Sequence, residues 1–87
     1  GGGGIVYAVV NLQSLGSFAA NAVVDPDNLV RASLIKLSER SRVKILGTGE
    51  VAHALTIRAH RVSESARAKI EAQGGGIETL GTEVPAS

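Results

Sequence analysis

The residues able to do chemistry in this 87-residue chain are mostly cations, with two histidines, several serines and two glycine-rich turns. Eight basic and three acidic residues fall between Lys36 and Lys69, a local balance of +5, while the 35 residues before sum to −1 and the 18 after to −3. A chain of net charge +1 can therefore still carry a basic face; an ordinary mixed surface is the plainer alternative. Arg40, Arg42 and Lys44 straddle the start of one strand; Arg58, His60 and Arg61 end the next; Arg67 and Lys69 follow on a helix. Arginine and lysine grip phosphates without reading bases. Tyr7 and Phe18 are the only aromatics, so base stacking of the single-strand type is not expected, and recognition of the backbone and shape of folded RNA suits the set better. The candidate RNA-binding residues are Arg42, Lys44, Arg58, His60, Arg61, Arg67 and Lys69.

Other chemistries find less support. Gly47-Thr48-Gly49 is not followed by a lysine–Ser/Thr pair and does not feed a helix, as a phosphate loop must, so it reads as a tight turn between two strands. His53 and His60 stand seven residues apart with no carboxylate cluster, so no metal site is expected. His60 is expected to face outward beside Arg58. Ser63 and Ser65 lack a nucleophile elbow and a neighbouring base. Ser63 is explained as a helix cap, and Gly74-Gly75-Gly76 as a helix terminator. No catalytic constellation, cofactor or small-molecule substrate is expected.

The elements that must position these residues follow from the apolar pattern. Ile5 to Val10 reads as a strand buried on both faces, Asn11 to Ser17 as a turn or short helical turn, and Ala22 to Val24 as a brief extended piece. Asp25-Pro26 opens a first helix, Asp25 capping it and Pro26 losing no internal bond. That helix is expected to finish near Ile35, with a charged loop from Lys36 to Arg42. Val43 to Leu46 is a second strand. Ala54 to His60 is a third, with Leu55, Ile57 and Ala59 facing the core and Thr56, Arg58 and His60 facing out. Ser63 starts a second helix, Gly74 stops it in a left-handed conformation, and Ile77 to Leu80 is a last strand. The expectation is a single compact α/β domain over residues 5–80, ordered strand-helix-strand-strand-helix-strand, with two main helices and a small mixed sheet. Val9, Leu29, Val43, Ile45, Leu55, Ile57 and Ile70 should share its core. Residues 1–4 read as a glycine linker or the stub of an N-terminal extension, and residues 81–87 as a flexible tail.

Composition bounds the function. The hydrophobic share of 44% is too high for a disordered chain. The absence of cysteine removes disulfides and thiolate metal sites. Ile5 to Val10 is too short to span a bilayer, so no membrane partner is expected. A domain this small buries only part of its surface and is expected to lean on a partner.

Val43-Lys44-Ile45-Leu46-Gly47-Thr48-Gly49-Glu50, then Ala54-Leu55-Thr56-Ile57-Arg58-Ala59-His60, then Ser63 to Ala72 and Gln73-Gly74-Gly75 resemble the C-terminal signature of the bacterial-type large-subunit ribosomal protein L-fifteen family. Its pattern is a valine–lysine strand, a leucine-glycine-x-glycine turn, a leucine–threonine–valine strand, and a serine-capped helix ending in paired glycines. Tyr7-Ala8-Val9-Val10-Asn11-Leu12 is similar to the start of that domain, and Asp25-Pro26-Asp27-Asn28-Leu29-Val30 to its first helix start. The resemblance covers Tyr7 to Leu80. The related L-eighteen-e protein shares the second half, and the proline-started helix favours L-fifteen. Family members carry a long Gly-, Arg- and Lys-rich N-terminal extension that threads through ribosomal RNA; here four glycines precede the domain. The resemblance implies a structural, non-enzymatic constituent of the large subunit, partnered by its RNA and by neighbouring ribosomal proteins, in cytoplasmic or organellar ribosomes. The rival reading is a small protein-interaction adaptor without RNA binding, which would need an exposed apolar patch.

Overall fold

A computed structural model describes residues 6–81. The glycine stub and residues 82–87 of the expected tail lie outside the described residues. Within the described residues, six strands and two helices follow one another: β1 (Ala8–Asn11), β2 (Val23–Val24), α1 (Pro26–Arg31), β3 (Val43–Leu46), β4 (Thr56–Ala59), β5 (Arg61–Val62), α2 (Glu64–Ala72) and β6 (Gly76–Thr79), with 3-10 turns at Leu12–Leu15 and Leu37–Glu39. The α/β class holds. In place of one small mixed sheet, the strands form two three-stranded sheets, β1-β3-β5 and β2-β4-β6, and every pairing is parallel. Consecutive strands alternate between the sheets, so each parallel partner is reached by a crossover, as parallel pairing requires. The 3-10 turn at Leu37–Glu39 occupies part of the expected charged loop, where the Glu39 carboxylate accepts the Lys36 N–H at 2.7 Å.

The expected strand Ala54–His60 is divided. β4 pairs with β6 as far as Ala59 opposite Thr79, and β5 joins β3 with Arg61 opposite Lys44. Only His60 separates them, so it is the residue at which the chain changes sheet. Its backbone N–H donates to the Val43 carbonyl at 3.0 Å, and its Nδ1 accepts the Val43 N–H, also at 3.0 Å. His60 is therefore buried, at 8% exposure, and does not face outward beside Arg58. The alternation that predicted an outward ring ends one residue earlier.

The helix ends are local chemistry. The Asp25 carboxylate accepts the Asn28 N–H at 2.7 Å ahead of Pro26, and the Ser63 hydroxyl accepts the Ala66 N–H at 3.2 Å. Gly74, at φ +81°, closes α2, with Gly74 N–H to Glu71 O and Gly75 N–H to Ile70 O, a Schellman arrangement. α1 stops at Arg31 rather than near Ile35. Ser33 takes the left-handed conformation at φ 62°, and its N–H and that of Leu34 return to Val30 and Leu29, the same closure without a glycine.

One apolar core lies between the sheets and helices, including Leu12, Leu29, Val43, Ile45, Leu55, Ile57 and Ile70, all fully buried or nearly so. Val9 departs from the expected core and is 51% exposed. β1 is not buried on both faces: Ala8 and Val10 point inward and Val9 outward.

Candidate nucleic-acid interface

The seven expected RNA-binding positions do not converge on one edge. α2 carries Arg67 on its exposed side, within 3.9 Å of Glu71 one turn on. Lys69, on the same helix, reaches inward. Its Nζ donates to the carbonyls of Gly47 and Gly49 at 2.8 and 2.7 Å and lies 3.1 Å from the Glu50 carboxylate. The ammonium thus fastens the Gly47–Glu50 turn to the helix. That turn fits closely: a Cβ on Gly47 would lie 2.7 Å from the Ala66 nitrogen, and Gly49 needs φ +88°.

Arg58 lies on β4, beside Glu78 of the adjoining β6. Its Nε is 2.9 Å from Glu78 Oε1 but off the N–H direction, so this is a charge pair and not an aligned hydrogen bond. Arg58 and His60 line an open hollow of about 360 Å³ with Asp25, Asp27 and Arg40, where Arg40 pairs with Asp27 at 3.3 Å. Cations there are matched by carboxylates.

Arg42, Lys44 and Arg61 stand apart from this. Parallel register places Val9, Lys44 and Arg61 in one row across β1, β3 and β5, on the face opposite to Val10, Val43 and Ile45, which enter the core. Alternation puts Arg42 on the same side. Among the described residues none of these three cations has a carboxylate partner. No element among the described residues covers the row: Val9 and Arg61 are exposed and Lys44 is half-buried. Parallel sheets are normally covered on both faces; among the described residues this one is covered on one face only.

Tyr7, which sequence reasoning counted only as one of two aromatics, belongs to this face. Its hydroxyl accepts from Arg61 Nε at 3.2 Å, and the guanidinium carbon lies 5.7 Å from the ring centroid, within cation–π range. Tyr7, Lys44, Leu46, Arg61, Val62, Ser63 and Glu64 bound a groove of about 530 Å³. The signal for Tyr7 lay in register with β3, which the sequence alone does not give. His53, the other histidine, is tied up internally, Nε2 donating to the Phe18 carbonyl at 2.7 Å. The described residues hold no cluster of three or more metal-ligating side chains.

Residues 9–78 match the ribosomal protein family that groups 50S-L15 and 50S-L18e with the 60S protein L-twenty-seven-A. The chain belongs to this family. Among its relatives, large ribosomal subunit protein uL15 of Citrifermentans bemidjiense is 46% identical over 74 residues, 85% of this chain and 50% of the relative. The uL15 protein of Coprothermobacter proteolyticus is 45% identical over 76 residues, 87% of this chain and 50% of that protein. The chain thus spans about half the length of the curated relatives it matches. Members of this ribosomal protein family are structural and not enzymes.

Proposed function

We propose that this domain is a structural constituent of the large ribosomal subunit, lying against ribosomal RNA with the outer face of β1-β3-β5 and against neighbouring ribosomal proteins elsewhere. It works in the ribosome, with residues 5–80 as the globular unit. The observation that carries the RNA reading is the bare parallel face with Arg42, Lys44 and Arg61 unmatched by acid. Three cations on one face suit backbone phosphates, which position a protein without specifying sequence. Arg58 and Arg67 approach RNA, in this reading, only with their carboxylate partners alongside, and so contribute less.

The test is the triple variant R42A/K44A/R61A, made in the complete protein and titrated against a large-subunit ribosomal RNA fragment over a range of salt. Each lost phosphate contact lowers the log–log salt slope by about 0.7–0.9, so the triple variant should lose roughly 2–3. An unchanged slope and affinity would show that the face meets solvent or protein. The melting temperature should barely move, because the variant breaks no ion pair among the described residues.

A further inference from the structure

We infer that the groove between Lys44 and Arg61 is a seat for a single phosphate group, and that an empty seat costs the fold stability. The inference rests on reading this face as the RNA-facing one and says where on it the tightest anion contact lies. Lys44 and Arg61 are direct partners across adjacent parallel strands, a separation of about 4.8 Å between strands. Like charges placed opposite one another across a sheet are unfavourable. Nothing among the described residues offsets this pair: Glu64 lies at the rim of the groove yet forms none of the ion pairs. The position is nonetheless built. Arg61 is held by the Tyr7 hydroxyl at Nε and by the Tyr7 ring beneath the guanidinium, which leaves its two terminal nitrogens to offer a forked pair of donors. Lys44 supplies a second charge from the side, as a point donor. A guanidinium fork with an ammonium beside it matches a tetrahedral oxyanion, and the groove's 530 Å³ leaves room for the sugar that follows. Tyr7 is a positioning residue here, acting through Arg61.

The experiment uses inorganic phosphate as the probe. The 87-residue chain is melted at neutral pH and fixed ionic strength, with millimolar phosphate replacing chloride, and the seat is followed in parallel by amide shifts of Lys44, Arg61 and Ser63. The expected result is a saturable rise in Tm, roughly 2–5 °C at twice the dissociation constant, with saturable shifts at those amides. Lys44→Ala should abolish both effects and, in phosphate-free buffer, should melt no lower than the native chain, since it removes repulsion. Tyr7→Phe should weaken phosphate severalfold without abolishing it, and Glu64→Gln should tighten it. The inference is overturned if phosphate gives no saturable shift, or if Lys44→Ala responds like the native chain, as a general salt effect would require. Those outcomes leave the RNA-facing reading standing if R42A/K44A/R61A still loses RNA affinity. A saturable phosphate response with RNA binding intact in the triple variant supports the seat but assigns it to free phosphate or a nucleotide, and sinks the RNA-facing reading alone.

Discussion

His60 shows most directly how one side chain can join two sheets. Its ring accepts the Val43 N–H while its own N–H donates to the Val43 carbonyl, so a single residue of β3 receives both contacts. Burial disfavours the imidazolium and lowers the His60 pKa below its ordinary 6.5. The unfolded chain therefore takes up the proton first as pH falls. This residue's contribution is complete above pH 6.5, declines below it, and levels off once pH passes the folded value. His60→Ala should cost about 1–3 kcal/mol at neutral pH by leaving the Val43 N–H unsatisfied. It should also flatten the fall in Tm as pH drops below 6.5; a parallel fall in native and variant would assign that slope to other groups. Sequence reasoning placed His60 outward because alternation from Leu55 through Ala59 is faithful, and Leu55, Ile57 and Ala59 are buried as it expects. Nothing in the residue types marks the point where a strand leaves one sheet for another.

At the scale of elements, termini were more legible than partnerships. Asp25-Pro26, Ser63 and Gly74 each carry their function in their side chain, or in the lack of one, and all three act as read. The end of α1 was not legible, because a serine in the left-handed region carries no compositional signal as glycine does. Alternation assigns faces to a strand but no neighbours. The cations of β3 and β5 could therefore be identified but not paired with each other, and Tyr7 could not be placed beside Arg61. Lys69 illustrates the same limit, since a lysine in the middle of a helix looks solvent-bound until the Gly47–Glu50 turn is seen beneath it. Lys69→Ala should lower stability by about 1.5–3 kcal/mol through two lost charge-assisted hydrogen bonds, with little owed to the exposed Glu50 pair. Its RNA salt slope should match that of the native protein. A reduced slope with unchanged denaturant midpoint would mean that Lys69 turns outward to RNA.

At the scale of the whole molecule, charge is sorted by side. Asp25, Asp27 and Glu78 accompany Arg40 and Arg58 around β4 and the start of α1, while the outer face of β1-β3-β5 keeps its cations unmatched. That sorting explains how a chain of net charge +1 presents a face of unmatched cations, and why composition alone left an ordinary mixed surface open.

The interleaving of the two sheets also bears on the order in which the chain is made. Because strands alternate between sheets, β1-β3-β5 is completed only at Val62 and β2-β4-β6 only at Thr79. A polypeptide emerging from its N-terminus has all of the first sheet's strands by Val62, but until β6 follows the second sheet lacks a strand and the shared core is partly bare. Until β6 arrives, Ile57 lacks its neighbour Ile77. Domains dominated by such distant pairings fold late and as a unit. Stalled nascent chains exposed through Gln73 should be cut readily by protease, and those exposed through Gly81 should be protected in one step; gradual protection as each strand emerges would refute all-or-none closure. The last stretch of the domain to be synthesised thus acts as its latch.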